Sequence, residues 1–135
     1  LLGSILGILA QAIFKFFPIL GREIYEILQS PLSRNVFWAL VINPIASGLV
    51  QEIWFRGVFQ QKIGLWRATV LFALFHILPK PGLGLPLLSF IGGLIFGRSY
   101  NLTGNLLVPI VIHSAIDFWI SLPLYFNFLN IPFDP

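Results

Sequence analysis

Residues 49–57 read LVQEIWFRG and place a Gln-Glu pair and an arginine inside an otherwise apolar run. Glu52 and Arg56 are four residues apart, so on a helix they lie on one face and can form an ion pair. Gln51 is rotated by about 100° from Glu52 and points to a neighbouring face. From this stretch alone, a structural ion pair and a functional site explain the charges equally well.

The sequence around this stretch predicts an integral, multi-pass membrane protein. Of its 135 residues, 57% are hydrophobic and only 10% are charged, and the mean hydropathy is +0.89, a combination that is rare in soluble domains. Apolar stretches cover residues 1–21, 36–50, 84–97 and 105–129, and a helix needs ~20 residues to cross the hydrocarbon core. The absence of cysteine excludes disulfides and thiolate metal sites,. The formal charge of +3 is scattered, which argues against a nucleic-acid partner.

We expect an all-α fold, a polytopic transmembrane bundle of about five helical segments around a polar cavity inside the membrane. The segments predicted from hydropathy, proline and glycine are residues 1–21, 36–62, 66–78, 86–99 and 105–128. Residues 1–35 would form an N-terminal transmembrane helix and an interfacial segment, and residues 36–130 a core domain.

Several single residues indicate where the predicted segments bend, end or pack closely. Pro44 should distort the second segment because it removes a backbone donor, and Gly64 should end that segment. Gly93 and Gly97 form a small-residue pair that lets a neighbouring backbone approach closely. Asn105 should cap the fifth segment.

Once the ends of the segments are set aside, three further ionisable residues fall inside predicted helices. They are His76, His113 and Asp117, and the two histidines are the only ones in the chain. His113 and Asp117 are four residues apart, a spacing at which a carboxylate can orient an imidazole. Because ionisable groups inside membrane segments usually face a bundle interior, we expect these residues to share a polar pocket with Glu52.

Two kinds of chemistry suit such a set. Glu52, His76 and His113 could hold Zn²⁺ with an open position for water. Alternatively, a carboxylate and one histidine could activate water directly while the other histidine donates to an oxyanion. The histidines lie on different segments and do not form a His-Glu-x-x-His motif, so zinc is the less favoured alternative. The general-base mechanism requires no cofactor.

The motifs QEIWFR (51–56), FALFH (72–76) and HSAID (113–117) resemble the EExxxR, FxxxH and HxxxN/D signatures of the CPBP family, the CAAX proteases and bacteriocin-processing enzymes. The resemblance covers roughly residues 36–128. It implies an intramembrane endopeptidase that hydrolyses peptide bonds of membrane-anchored proteins or peptides. It also implies that the first Glu of EExxxR and the FxxxH histidine activate water, while the last histidine and its Asn/Asp partner hold the oxyanion.

Carried over by position, this assigns water activation to His76 and oxyanion stabilisation to His113, which Asp117 orients. Glu52 and Arg56 would match the second Glu and the Arg, a positioning pair. The sequence departs from the pattern at Gln51, which stands where the first Glu is expected and cannot accept a proton at neutral pH. Either Glu52 serves as the base, or the protein keeps the fold as a catalytically degenerate scaffold or partner-binding module.

Overall fold

The computed structural model describes residues 35–78 and 82–125, together with the single residues 5, 12 and 22. Within this part of the chain the fold is all-α, as predicted, and contains no strand. The first predicted segment, most of the interfacial segment and the end of the fifth segment lie outside the described residues. The helical elements in chain order are π1 (Trp38–Ile42), α1 (Asn43–Glu52), π2 (Ile53–Phe59), α2 (Gln60–Phe75), α3 (Gly84–Thr103) and α4 (Leu107–Tyr125).

The distortion expected at Pro44 takes the form of the wider π1 turn. Pro44 occupies the first turn of α1 and is buried, and the N–H of Asn43 reaches back to the carbonyl of Trp38. A proline in a helix leaves one carbonyl without its usual donor, and a π turn shifts the pairing to i→i+5. The helical backbone therefore continues through this point.

A second π segment lies inside the quoted motif. Glu52 is the last residue of α1, and π2 contains Arg56. Gln60 ends π2, because its N–H donates to the carbonyl of Phe55, five residues back. π-helical turns are uncommon and often accompany functional sites.

Glycines mark two of the boundaries in the second half of the fold. Gly64 interrupts α2 with φ of 81° and ψ of 166°, as expected, because glycine reaches such angles without a Cβ penalty. Gly104, with φ of 62°, follows the end of α3. The prediction of residues 86–99 for α3 was wrong by a few residues at both ends, because Pro86 lies inside its first turn and this left-handed glycine comes later.

Asn105 caps α4 as predicted, since its Oδ1 accepts the N–H of Leu107 at 2.9 Å,. In contrast, α2 ends at Phe75, one residue before His76. His76 therefore lies in the turn that follows the helix rather than within it, and the prediction of a helix over 66–78 was three residues too long. Pro79 follows closely in the sequence, as is common after a helix end.

Two helix pairs form the body of the described fold: α1 packs on α4, and α2 packs on α3. A Cβ at Gly48 would clash with Ser114 Oγ and would lie 3.0 Å from the carbonyl oxygen of Ile110, so α1 and α4 meet backbone to backbone at this point. The buried apolar cluster between the pairs consists of Phe55, Phe72, Phe96 and Ile112.

Beside this apolar cluster, the interior of the described fold holds several polar and charged side chains, and large apolar side chains lie on the surface. Trp66 and Leu102 are 64% and 75% exposed, whereas the charged side chains of Glu52 and Arg56 are buried. The buried polar and charged residues are Glu52, Arg56, Gln60, Thr69, Ser89, His113 and Ser121. A buried carboxylate and guanidinium beneath large exposed apolar side chains are unusual in a soluble protein.

None of the helices in the described part of the chain is both long enough and apolar enough to cross a membrane.

Candidate active site

Glu52 is the centre of the buried charged cluster, and its side chain is completely inaccessible. Its Oε1 accepts a hydrogen bond of 2.7 Å from Nδ1 of His113, which lies 61 residues later in the chain. Its Oε2 lies 3.0 Å from Nε of Arg56, within ion-pair distance but without the alignment of a hydrogen bond. The predicted i, i+4 ion pair is confirmed, and the same carboxylate also holds a histidine on another helix.

Arg56 lies among aromatic rings and is 1% exposed. Its guanidinium carbon is 4.5 Å from the ring centre of Phe72 and 5.4 Å from that of Phe96, close enough for cation–π attraction. Nη2 donates to the backbone carbonyl of Gly93 at 3.0 Å. The positive charge is therefore compensated by one carboxylate, one carbonyl dipole and the faces of two rings.

His113 is held on both ring edges and on one face. Because Nδ1 donates to Glu52, Nε2 is the ring nitrogen on the opposite side, and it lies 3.5 Å from Oδ2 of Asp117. The ring stacks on Phe96 with centroids 4.5 Å apart and an angle of 13°. The predicted proximity of His113 and Asp117 is confirmed. Glu52, His113 and Asp117 contact one another in that order, and Asp117, with its side chain 31% exposed, is the most accessible of the three.

His76 lies beside the Glu52–His113 pair without a hydrogen bond to it among the described contacts. Its Nδ1 donates to the carbonyl of Phe72 at 2.8 Å. Phe72 lies between the two histidines, with ring centroids 4.6 Å from His76 and 5.9 Å from His113. His76 is also close enough to interact electrostatically with His113 and Asp117. His76, from the FALFH motif, therefore lies near the Glu52–His113 pair that the other two motifs supply.

Gln51 makes no described contact with this cluster. Its Nε2 donates to Ser47 Oγ at 3.1 Å, which leaves Oε1 buried without a hydrogen-bond partner in the structure. A buried amide oxygen without a partner is unfavourable by roughly 1–3 kcal/mol. Gln51 therefore presents an open acceptor but no proton-accepting carboxylate.

The zinc alternative can be compared with this geometry. Among the described side chains, no three of the His, Asp and Glu groups are arranged to hold a metal ion. Glu52 is engaged by His113 and Arg56, and His76 turns its Nδ1 to a backbone carbonyl. A dication at Glu52 would also stand next to the buried Arg56 guanidinium, whose positive charge disfavours a metal at this carboxylate,.

Two residues that support the site were not singled out by the sequence motifs. Phe96 stacks on His113, and nothing in the sequence distinguishes it from the other phenylalanines. Gln60 donates to the carbonyl of Gly97 at 2.9 Å. The spacing in the sequence could have indicated Gln60. It follows Arg56 by four residues, and Gly97 follows Gly93 by four, so the two pairs can face each other on neighbouring helices.

Fold and site together define an all-helical protein whose three separate polar motifs meet around a buried carboxylate. The profile of the type II CAAX prenyl endopeptidase Rce1-like family matches residues 33–119, a range that contains all six candidate residues. The chain therefore belongs to the Rce1-like family, as the three motifs predicted.

The chain is also similar to one curated protein. The chain is 30% identical over 118 residues to the uncharacterized protein YpbD of Bacillus subtilis (strain 168). The matched region is 84% of this chain and 61% of that protein, so the chain spans less than two thirds of the length of this relative. No solved structure matches the chain.

Proposed function

We propose that this protein is an intramembrane endopeptidase of the CAAX-protease type, which hydrolyses a peptide bond of a membrane-anchored protein or peptide. The observation that carries the proposal is the 2.7 Å hydrogen bond between Glu52 and His113, with His76 on the other side of Phe72. This contact brings together residues from motifs 61 positions apart. The membership in the Rce1-like family supports the same reaction class.

His76 is the group that we propose as proton acceptor. Because Nδ1–H donates to the carbonyl of Phe72, the neutral ring keeps the lone pair on Nε2. In the proposed reaction Nε2 takes a proton as the water oxygen attacks the peptide carbonyl carbon. The same proton then passes to the leaving nitrogen as the carbon–nitrogen bond breaks.

His113 is proposed to stabilise the oxyanion. Glu52 fixes one edge of the imidazole, so Nε2 is left for the substrate on the side of Asp117. A ring with hydrogens on both nitrogens can donate Nε2–H to the oxygen that becomes negative, and the carboxylates stabilise that ring. In this scheme Glu52, which is fully buried and already engaged, acts mainly as a positioning residue for His113, and Arg56 positions Glu52.

The second candidate function is a catalytically degenerate scaffold or partner-binding module. The observation in its favour is Gln51, because an amide can hold a water through Oε1 but cannot deprotonate it. The loss of a general base typically lowers a rate by ~10²–10⁴. The two functions therefore differ in what a carboxylate at position 51 would restore.

We further propose that the protein is embedded in a membrane and binds its substrate from the lipid. The exposed tryptophans and leucines of the described helices support this placement, since Trp54, Trp66 and Leu78 are 55%, 64% and 74% exposed. A prenylated tail is the substrate class that the name of the family suggests. Leader peptides and membrane-protein fragments fit the same apolar surroundings.

The test is cleavage of membrane-anchored fluorescent peptides in liposomes by the wild type, Gln51→Glu and His76→Ala. We expect measurable cleavage by the wild type and loss of cleavage in a folded His76→Ala, whereas a catalytically degenerate protein would gain cleavage only in Gln51→Glu. Gln61→Glu is the matched control, because it adds the same charge at an exposed glutamine.

One outcome would overturn the proposed role of His76, and another would decide against peptidase function. Folded His76→Ala that cleaves as fast as the wild type would remove His76 from the reaction. A wild type that is inactive on prenylated, leader and unmodified peptides, with activity in Gln51→Glu, would establish the degenerate function instead.

A further inference from the structure

Two side chains of one helix face reach two carbonyls of one neighbouring helix. Arg56 Nη2 donates to the carbonyl of Gly93 at 3.0 Å, and Gln60 Nε2 donates to the carbonyl of Gly97 at 2.9 Å. Donors and acceptors are each four residues apart, so the two hydrogen bonds form successive rungs along α3. Such a pair of rungs fixes the position of α3 along the axis of π2 and α2.

The glycines make these rungs possible. A Cβ at Gly93 would lie 3.1 Å from both Thr69 and Phe72, and one at Gly97 would lie 2.5 Å from Gln60 Oε1. The backbones therefore approach closely enough for side chains to bind carbonyls that already belong to a helix. A slide of either helix by one residue would break both rungs together.

Gln60 donates two side-chain hydrogen bonds to α3, whereas Arg56 donates one. Gln60 is 6% exposed, and its Nε2 donates a second hydrogen bond of 2.7 Å to Asn101 Oδ1. The two donors of this amide are thereby both used, which fixes the orientation of its plane. Its own backbone N–H ends π2 by bonding to Phe55.

Gln61 provides an internal comparison. It follows Gln60 in the sequence and also donates to α3, to Tyr100 Oη at 2.8 Å. That bond is exposed, however, and it ends on a flexible side chain rather than on a buried carbonyl. The two glutamines therefore have the same chemistry and the same partner helix but different consequences for the site.

We propose that Gln60 is a positioning residue of the candidate site. By tying the end of π2 to α3, Gln60 places the guanidinium of Arg56, which in turn holds the Glu52 carboxylate against His113. Arg56 lies inside a π segment, where the ordinary α-helical ladder does not fix its position,. The cross-helix tie at Gln60 supplies that constraint.

The effect on catalysis rests on the proposed function, whereas the effect on His113 does not. Loss of an outer partner that orients a functional group typically lowers activity about 10–100-fold. We expect Gln60→Met, which keeps the length of the side chain and removes its donors, to lower kcat by about tenfold or more while KM changes less than about twofold. The smaller change in KM is expected because Gln60 uses its side-chain donors on Gly97 and Asn101 of α3 and makes no described contact with His76 or His113.

The deciding experiment adds a readout that needs no activity. The Nδ1–H proton of His113 is followed by nuclear magnetic resonance in protein with ¹⁵N-labelled histidine, for the wild type, Gln60→Met and Gln61→Met. A proton in a 2.7 Å bond to a carboxylate gives a strongly downfield resonance. We expect this resonance to shift or disappear in Gln60→Met and to stay in Gln61→Met.

Every outcome of this experiment either supports or overturns the proposed role of Gln60. An unchanged His113 resonance in folded Gln60→Met overturns the proposal, and so does an equal change in Gln61→Met. If Gln60→Met does not fold, Asn101→Ala removes one of the two acceptors and must move the resonance in the same direction, or the proposal fails. A wild type without peptidase activity would refute the proposed function but leave the resonance arm to decide the role of Gln60.

Discussion

Removing one charge of the Glu52–Arg56 pair should destabilise the protein strongly, whereas removing both charges should be much less harmful. Arg56→Met leaves a carboxylate with zero exposure and one remaining partner, His113. Glu52→Gln leaves a guanidinium that is 1% exposed and held only by a carbonyl and aromatic rings. Each single change therefore leaves a buried, poorly compensated charge.

The magnitude follows from the 3.0 Å separation of Arg56 Nε and Glu52 Oε2. With an effective dielectric constant of about 20, two unit charges at this distance attract by about 5.5 kcal/mol. Breaking one partner of a buried pair typically costs ~3–5 kcal/mol. We expect each single variant to lose about that amount of unfolding free energy, and the double variant to lose several kcal/mol less than the sum of the two.

The assay is reversible denaturant unfolding of the purified protein in detergent micelles, followed by tryptophan fluorescence, for all four members of the cycle. Arg98→Met is the control, because it removes an exposed arginine and should change stability by less than about 0.5 kcal/mol. Additive losses in the double variant, or single losses below about 1 kcal/mol, would show that the pair is not a coupled buried interaction.

Three smaller changes test the helix packing and ends by the same unfolding measurement. Gly48→Ala should lose about 1–3 kcal/mol, because its Cβ would meet Ser114 and the backbone of α4,; unchanged stability would contradict the close approach of the two helices. Asn105→Ala should lose about 1 kcal/mol with the cap of Leu107,, and Asn105→Ser should recover most of that loss if capping is the cause. Gly64→Ala should lose about 1–2 kcal/mol, because its φ of 81° is strained for any other residue; a gain in stability would refute that conformation.

Local features of the fold were predictable because their causes are local. Gly64 and Asn105 act through backbone angles and a cap that a few neighbouring residues determine. The i, i+4 pairs Glu52–Arg56 and His113–Asp117 follow from helical geometry alone. Helix ends were less accurate, as at His76, since the last turn competes with the chain that follows it.

Contacts between helices were not predictable in the same way. The sequence indicates that Glu52 and His113 belong to one site, but it does not indicate that one binds the other at 2.7 Å. It also does not distinguish the buried Gln60 from the exposed Gln61, because the two are adjacent and chemically identical. Burial depends on which face of α2 meets α3, and that is a property of the packed pair.

The sequence by itself determined the all-α class and the family, and it predicted the residues of the site, because helical periodicity and the positions of the few polar groups can be read along the chain. Only the tertiary structure decided how those residues are used. Glu52 is committed to Arg56 and His113, whereas Gln51 turns to Ser47 with its carbonyl oxygen unpaired. The physical reason is burial, since a charge out of water must find partners from other helices, and only packing determines which ones lie within reach.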